Sequence, residues 1–83
     1  MNIRVKLYAS LGAYLPDGAV RNEVEYTAAE GASIAQVLSD LSVPGEMCHL
    51  VMIDGIYVAP GERDSYLLKD GHHLAVWPPV AGG

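Results

Sequence analysis

Cysteine is nearly absent from this 83-residue sequence: Cys48 stands alone, so no disulfide can close within the chain. It precedes an apolar run and reads as a small buried hydrophobe. Cations are scarce as well. Five Lys and Arg stand against ten Asp and Glu, a formal net charge of -5, and they are scattered as Arg4, Lys6, Arg21, Arg63 and Lys69. No basic stripe is available to neutralise a run of phosphates, so neither nucleic acid nor an anionic membrane is expected as a partner. The acidic balance suits a basic patch on a protein instead. A long apolar opening is also missing, because MNIRVKLYAS alternates charged and apolar side chains. No signal peptide or membrane span is expected, and the expected setting is the reducing cytoplasm.

Catalytic groupings are missing too. No HExxH, paired cysteine, GxxxxGK[ST] or GxGxxG spacing occurs, which leaves no ready metal site or phosphate cradle. His49, His72 and His73 are the only histidines. The adjacent pair would point to opposite faces of a strand, one toward solvent and one at the strand margin, so no metal is expected. Glu23 and Glu25 fall on one face of an alternating segment and read as hydrated carboxylates, not an acid and base pair. The single glycines after Asp17, Asp54 and Asp70 are explained by turns. A self-contained active site is therefore not legible.

What is present is enough apolar material for one core. At 51% hydrophobic and 18% charged, the chain is far from a disordered composition, and its length leaves no room for a second core. Ile3, Val5 and Leu7 alternate with Arg4 and Lys6, predicting a strand over 2–8. ASLGAYLP predicts a short or partly irregular helix capped by Ser10 and weakened by Gly12. Val20, Val24 and Tyr26 predict a second strand over 20–27, antiparallel to the first. Ser33 and Gln36 form a capping box before the stripe Ile34, Val37, Leu38 and Leu41, which predicts the main helix over 34–42. Asp54-Gly55 predicts a hairpin between a central strand, 49–53, and a short edge strand, 56–59. Pro60 and Gly61 break that ladder, a tight turn follows at Asp64–Leu67, and the last strand runs from His72 or His73 to Trp77. This order predicts an α+β layer: a mixed sheet of four to five strands with one main helix, a β-grasp roll over 1–79. Met47, Tyr57, Tyr66 and Trp77 are assigned to the core, with Trp77 alternatively on a rim that docks a partner.

The final seven residues, WPPVAGG, carry the chemistry. Pro78 and Pro79 have fixed φ and no N–H, so they end the sheet. Val80 and Ala81 then shrink to Gly82 and Gly83, so that 80–83 forms a flexible tail. Two glycines cost entropy and contribute no packing; their use is access, since a side-chain-free backbone can enter a narrow channel. With Gly83 expected as the chain end, its carboxylate, of pKa about 3.3 to 3.7, is ionised at neutral pH. It can attack the α-phosphorus of a nucleotide held by a partner, giving an acyl-adenylate open to a sulfur or amine nucleophile. The partner would hold ATP, so no cofactor is expected to bind stably here. Trp77, Pro78, Pro79, Val80 and Ala81 would be the partner-binding residues.

LYASLGAYLP near the start and LKDGHHLAVWPPVAGG at the end resemble the MoaD/ThiS family of ubiquitin-like sulfur carriers over essentially the whole chain. The resemblance implies a β-grasp fold and a working residue, Gly83, with Gly82 behind it. The PPVAGG ending is more similar to the MoaD branch, although Trp77 stands where Phe is usual before the prolines. That branch implies adenylation by an E1-like enzyme (MoeB/ThiF-like), conversion to a thiocarboxylate, and insertion into a MoaE-like synthase large subunit in molybdopterin biosynthesis. The chain would then serve as a small subunit or sulfur-donating co-substrate. Open alternatives are a carrier for thiamine, cysteine or another sulfur metabolite, a modifier joined to lysines through Gly83, and an interaction domain with an inert tail.

Overall fold

The computed structural model describes residues 1–79; the expectations placed on Val80, Ala81, Gly82 and Gly83, and on the tail 80–83, lie outside the described residues. Strand β1, Asn2–Leu7, buries Ile3, Val5 and Leu7 on one face and turns Arg4 and Lys6 to the other, as period-two alternation requires. A 3₁₀ helix over Ala9–Tyr14 follows, burying only Leu11. Ser10 does not cap it. The turn begins earlier, after extended Tyr8, and no side chain caps it. Gly12 has a tertiary reason: a Cβ there would lie 2.6 Å from Asn22 Nδ2. That amide donates to the carbonyls of Leu7 at 2.8 Å and Ala9 at 3.3 Å, closing the end of β1.

Strand β2 is Glu23–Thr27 and not 20–27. Arg21 and Asn22 both take positive φ, 54° and 62°, and Val20 pairs back onto Glu23 across them. Two successive left-handed residues make a tight turn that leaves Val20 exposed. Helix α1, Ile34–Asp40, buries Ile34, Val37 and Leu38. Ser33 Oγ accepts from the Gln36 N–H at 3.0 Å, but only half of the capping box forms, because the Gln36 side chain donates to Asp40 at 2.9 Å. The helix stops before residue 42, where Ser42 turns left-handed at φ 64° and the Val43 N–H donates to the Leu38 carbonyl at 3.0 Å. This is a Schellman-type ending with serine in the place usually taken by glycine.

Strands β3, Leu50–Ile53, and β4, Ile56–Tyr57, form the hairpin at Asp54-Gly55, with positive φ at both turn residues as a type I′ turn demands. The edge strand ends at Tyr57 because the chain swings from buried Val58 into a 3₁₀ turn at Pro60–Glu62. A turn over 63–65 continues from it, and Leu67 already bridges Ser33, so the tight turn lies earlier than Asp64–Leu67. Strand β5 is His73–Trp77. The sheet order is β2-β1-β5-β3-β4, with β1 and β5 parallel and every other pair antiparallel. The centre is therefore β5, and β3 lies beside the edge.

One face of this five-stranded mixed sheet packs Ile3, Val5, Leu7, Val51, Ile53, Leu74 and Val76 into a core shared with Ile34, Val37 and Leu38 of α1. A β-hairpin, a crossing helix and a parallel return to the centre make the β-grasp roll. Cys48 is buried in the core, and Met47 and Tyr66 pack partly against it; Tyr57 is 54% exposed and falls on the opposite face with Met52. No helix among the described residues is long and apolar enough to cross a membrane. Replacing Ser33 by Ala removes the cap of α1 and should lower stability by about 1 kcal/mol. Urea unfolding should show it as a lower midpoint with an unchanged slope.

Candidate functional site: the open sheet face and the root of the tail

The alternation that buries the apolar side of β1 and β5 sends Arg4, Lys6 and Tyr8, with His73, Ala75 and Trp77, to the face without a helix. Parallel register pairs Lys6 with Ala75 and Leu7 with Val76, so the next residues, Tyr8 and Trp77, meet side by side. Their rings stack with centroids 4.1 Å apart and planes 10° from parallel. Lys6 Nζ lies 5.1 Å from the Tyr8 ring centroid, within cation–π range. A shallow groove of about 260 Å³ runs along this face, with Met52 and Ala75 in its wall and Trp77 at its end.

Trp77 is also the last residue of the ladder. Its carbonyl accepts from the His49 N–H at 2.9 Å, while the Val76 carbonyl accepts from the Tyr8 N–H at 2.9 Å. Beyond it, Pro78 is half-buried and Pro79 exposed, and neither can donate a backbone hydrogen bond. Thus Trp77, Pro78 and Pro79 come together at one end of the open face, with Trp77 on that face and not in the core. Tyr8 was not among the expected site residues. Its signal was available, two positions after Lys6 on the same face, but only the parallel pairing puts it against Trp77.

Arg4 is paired with Glu23, with Nη2 3.0 Å from Oε2, so Glu23 is ion-paired where sequence alone made it merely hydrated; Glu25 is exposed. His73 is exposed, and its backbone N–H donates to Asp54 Oδ1 at 2.8 Å. His72 is half-buried, with Nδ1 accepting from the Lys69 N–H at 3.0 Å. Among the described residues no group of three or more His, Cys, Asp or Glu could hold a metal ion.

The ThiS family model matches residues 6–83, from β1 through the diglycine. The chain belongs to the ThiS family. Solved structures agree in fold with this family of ubiquitin-like sulfur carriers. Thiamine biosynthesis protein ThiS from Geobacter metallireducens matches with TM-score 0.66 and 20% identity, covering 100% of both chains. A putative molybdopterin converting factor subunit 1 from Pyrococcus furiosus gives 0.65 and 24%, covering 95% of this chain and 98% of that one. Small archaeal modifier protein 1 from Methanosarcina acetivorans gives 0.68 and 22%, covering 99% and 96%. A complex of subunits 1 and 2 of molybdopterin-converting factor from Helicobacter pylori contains a further match, at 0.59 and 16%, covering 100% of both chains. No curated protein matches significantly.

In this ThiS-family chain the one thiol stands apart from the open face. Cys48 is buried beneath the end of α1, with Sγ 3.5 Å from the Pro44 carbonyl. Burial pushes its pKa up; the Arg63 charge opposes the shift and Glu46 adds to it. The fold therefore favours the neutral thiol, whose stabilisation is complete at low pH and is lost as pH rises through the raised pKa. A thiol-specific reagent should label native Cys48 much more slowly than the unfolded chain. Equal rates in the two states would contradict this burial.

Proposed function

We propose that this chain is a sulfur carrier whose reactive group is the carboxylate of Gly83. The observation that carries the reading is the coincidence, at the end of β5, of an aromatic docking platform and a donor-free Pro78-Pro79 step leading to Gly82-Gly83. The Tyr8–Trp77 stack and its groove would seat a partner, with Trp77, Pro78, Pro79, Val80 and Ala81 guiding the end into the partner's reaction centre. There a carboxylate oxygen of Gly83 attacks the α-phosphorus of ATP and pyrophosphate leaves, forming an acyl-adenylate. Hydrosulfide supplied by the activating system then attacks the acyl carbon, AMP leaves, and the carrier departs as a thiocarboxylate. ATP and its metal would belong to that E1-like partner (MoeB/ThiF-like).

The pathway we favour is molybdopterin formation in the cytoplasm, with a MoaE-like large subunit receiving the tail. The PPVAGG ending supports it, as does the fold likeness to the Pyrococcus subunit 1. The Helicobacter complex of subunits 1 and 2 supports a large-subunit partner. The likeness to the Geobacter ThiS favours a thiamine carrier as second reading, and that to the archaeal modifier protein favours an amine acceptor in place of sulfur.

Incubation with an E1-like enzyme, ATP and a sulfur donor should give pyrophosphate release and the mass gain of one sulfur replacing one oxygen. Conjugates to lysine would select the modifier reading, and an unaltered mass with no pyrophosphate release would reject activation altogether. One residue appended after Gly83 should abolish activation without changing the unfolding transition. Trp77→Ala removes an aromatic anchor from the platform and should raise KM for the carrier at least tenfold, since such anchors contribute about 2 kcal/mol or more. An unchanged KM would remove the stack from the docking surface.

A further inference from the structure

Residues 48 and 49 lie between the 3₁₀ turn Gly45–Met47 and β3 and belong to neither. Something else must fix them. Arg63 Nη1 donates to the Cys48 carbonyl at 2.6 Å and Nη2 donates to the His49 carbonyl at 3.3 Å. The backbone of Arg63 is itself anchored, since its carbonyl accepts from the Ala35 N–H of α1 at 3.0 Å. Its side chain thus reaches from the helix side across a groove of about 600 Å³, walled by Leu38, Val43 and Pro60, to grip two consecutive carbonyls. No carboxylate lies within ion-pair distance of Arg63 among the described residues. Its charge acts on backbone dipoles, and such charge-assisted hydrogen bonds are roughly twice as strong as neutral ones.

The Cys48 carbonyl and the His49 N–H belong to one planar peptide unit and point to opposite sides of it. Arg63 holds the carbonyl side, and the N–H side donates to the Trp77 carbonyl at 2.9 Å. Fixing the first fixes the tilt of the second and polarises its N–H. Arg63 Nε is buried without a partner, a cost that the reach across the groove imposes. After Trp77 comes a proline pair with no N–H donors, and among the described residues the Trp77 carbonyl is the last backbone group of β5 bonded on the β3 side. We infer that Arg63 is a positioning residue for the carrier reaction: through the Cys48–His49 peptide it sets the point and direction at which the chain leaves the sheet. This rests on the carrier reading and deepens it. Docking would use the open face, which Arg63 does not touch; delivery of the carboxylate would use the anchor that Arg63 controls.

The test uses the full chain with Arg63→Ala and Arg63→Lys, at a temperature where circular dichroism shows both folded. ATP–pyrophosphate exchange with the E1-like enzyme should show kcat reduced about tenfold with KM little changed, because misplacing a reacting group costs rate rather than affinity. The lysine variant should not rescue, since an ammonium cannot span two carbonyls as the planar fork does. Hydrogen exchange of the His49 amide should be faster in both variants. Unchanged kcat in both, or a rise in KM alone, would overturn the inference. Where Arg63→Ala does not fold, a semisynthetic chain with an ester in place of the Cys48–His49 amide keeps Arg63, deletes the N–H and weakens the carbonyl that Arg63 grips, so both links of the anchor are tested at once. The same loss of kcat is expected, and its absence overturns the proposal. Failure of the unaltered chain to be activated would count against the carrier reading itself. The exchange measurement needs no partner: equal His49 protection in the unaltered chain and the variants overturns the anchoring by Arg63 whatever the carrier does.

Discussion

The parallel pairing of β1 with β5 is the contact on which the rest of the molecule depends. It joins the first strand to the last at the centre of the sheet, so the loop it closes contains nearly the whole chain. Such a contact is costly in chain entropy, and the cost is met by burial on one face: Val5, Leu7, Leu74 and Val76 are all essentially inaccessible beneath α1. The same pairing brings Tyr8 against Trp77, and it delivers the segment after Trp77 from the middle of a sheet rather than from a frayed edge. Stability and the proposed docking thus draw on opposite faces of the same two strands.

Those two faces have different chemistry for a physical reason. A five-stranded sheet with one short helix can cover only one side, and the other must be presented to solvent or to a partner. Here the uncovered side carries the Arg4–Glu23 ion pair, Lys6 beside Tyr8, and the apolar surface of Met52, Ala75 and Trp77. Polar rims around aromatic anchors are the pattern of association surfaces. The buried core contains no polar or charged side chain among the described residues, and the group in it whose titration burial shifts is the Cys48 thiol.

Features with a local cause were legible in the sequence. The alternation of β1, the stripe of α1 with its Ser33 cap, the Asp54-Gly55 hairpin and the burial of Cys48 all follow from spacing within a few residues, and all are present. Where prediction and structure part, a nonlocal or strained element intervenes. Val20 has strand character, but Arg21 and Asn22 turn left-handed and cut β2 short. Gly12 read as a helix weakener, whereas it makes room for the Asn22 amide ten residues away. Arg63 reads in sequence only as one of the scattered cations, because no local pattern announces a guanidinium that closes on backbone carbonyls fourteen and fifteen residues earlier.

The proline pair explains why anchoring matters at this point of the chain more than elsewhere. In an ordinary strand end, fraying by one residue is repaired by the next N–H, so the exit direction averages over several ladder bonds. After Trp77 two successive residues lack that group, so no N–H of theirs can restore the ladder when the Trp77 carbonyl is displaced. A donor-free, φ-restricted step transmits an error in direction instead of absorbing it. The accuracy with which such a chain presents its end is therefore set upstream, by the peptide plane at Cys48–His49 on one side and the Tyr8 ring on the other. Substitutions far from the reactive group can then alter rate while leaving the docking face intact.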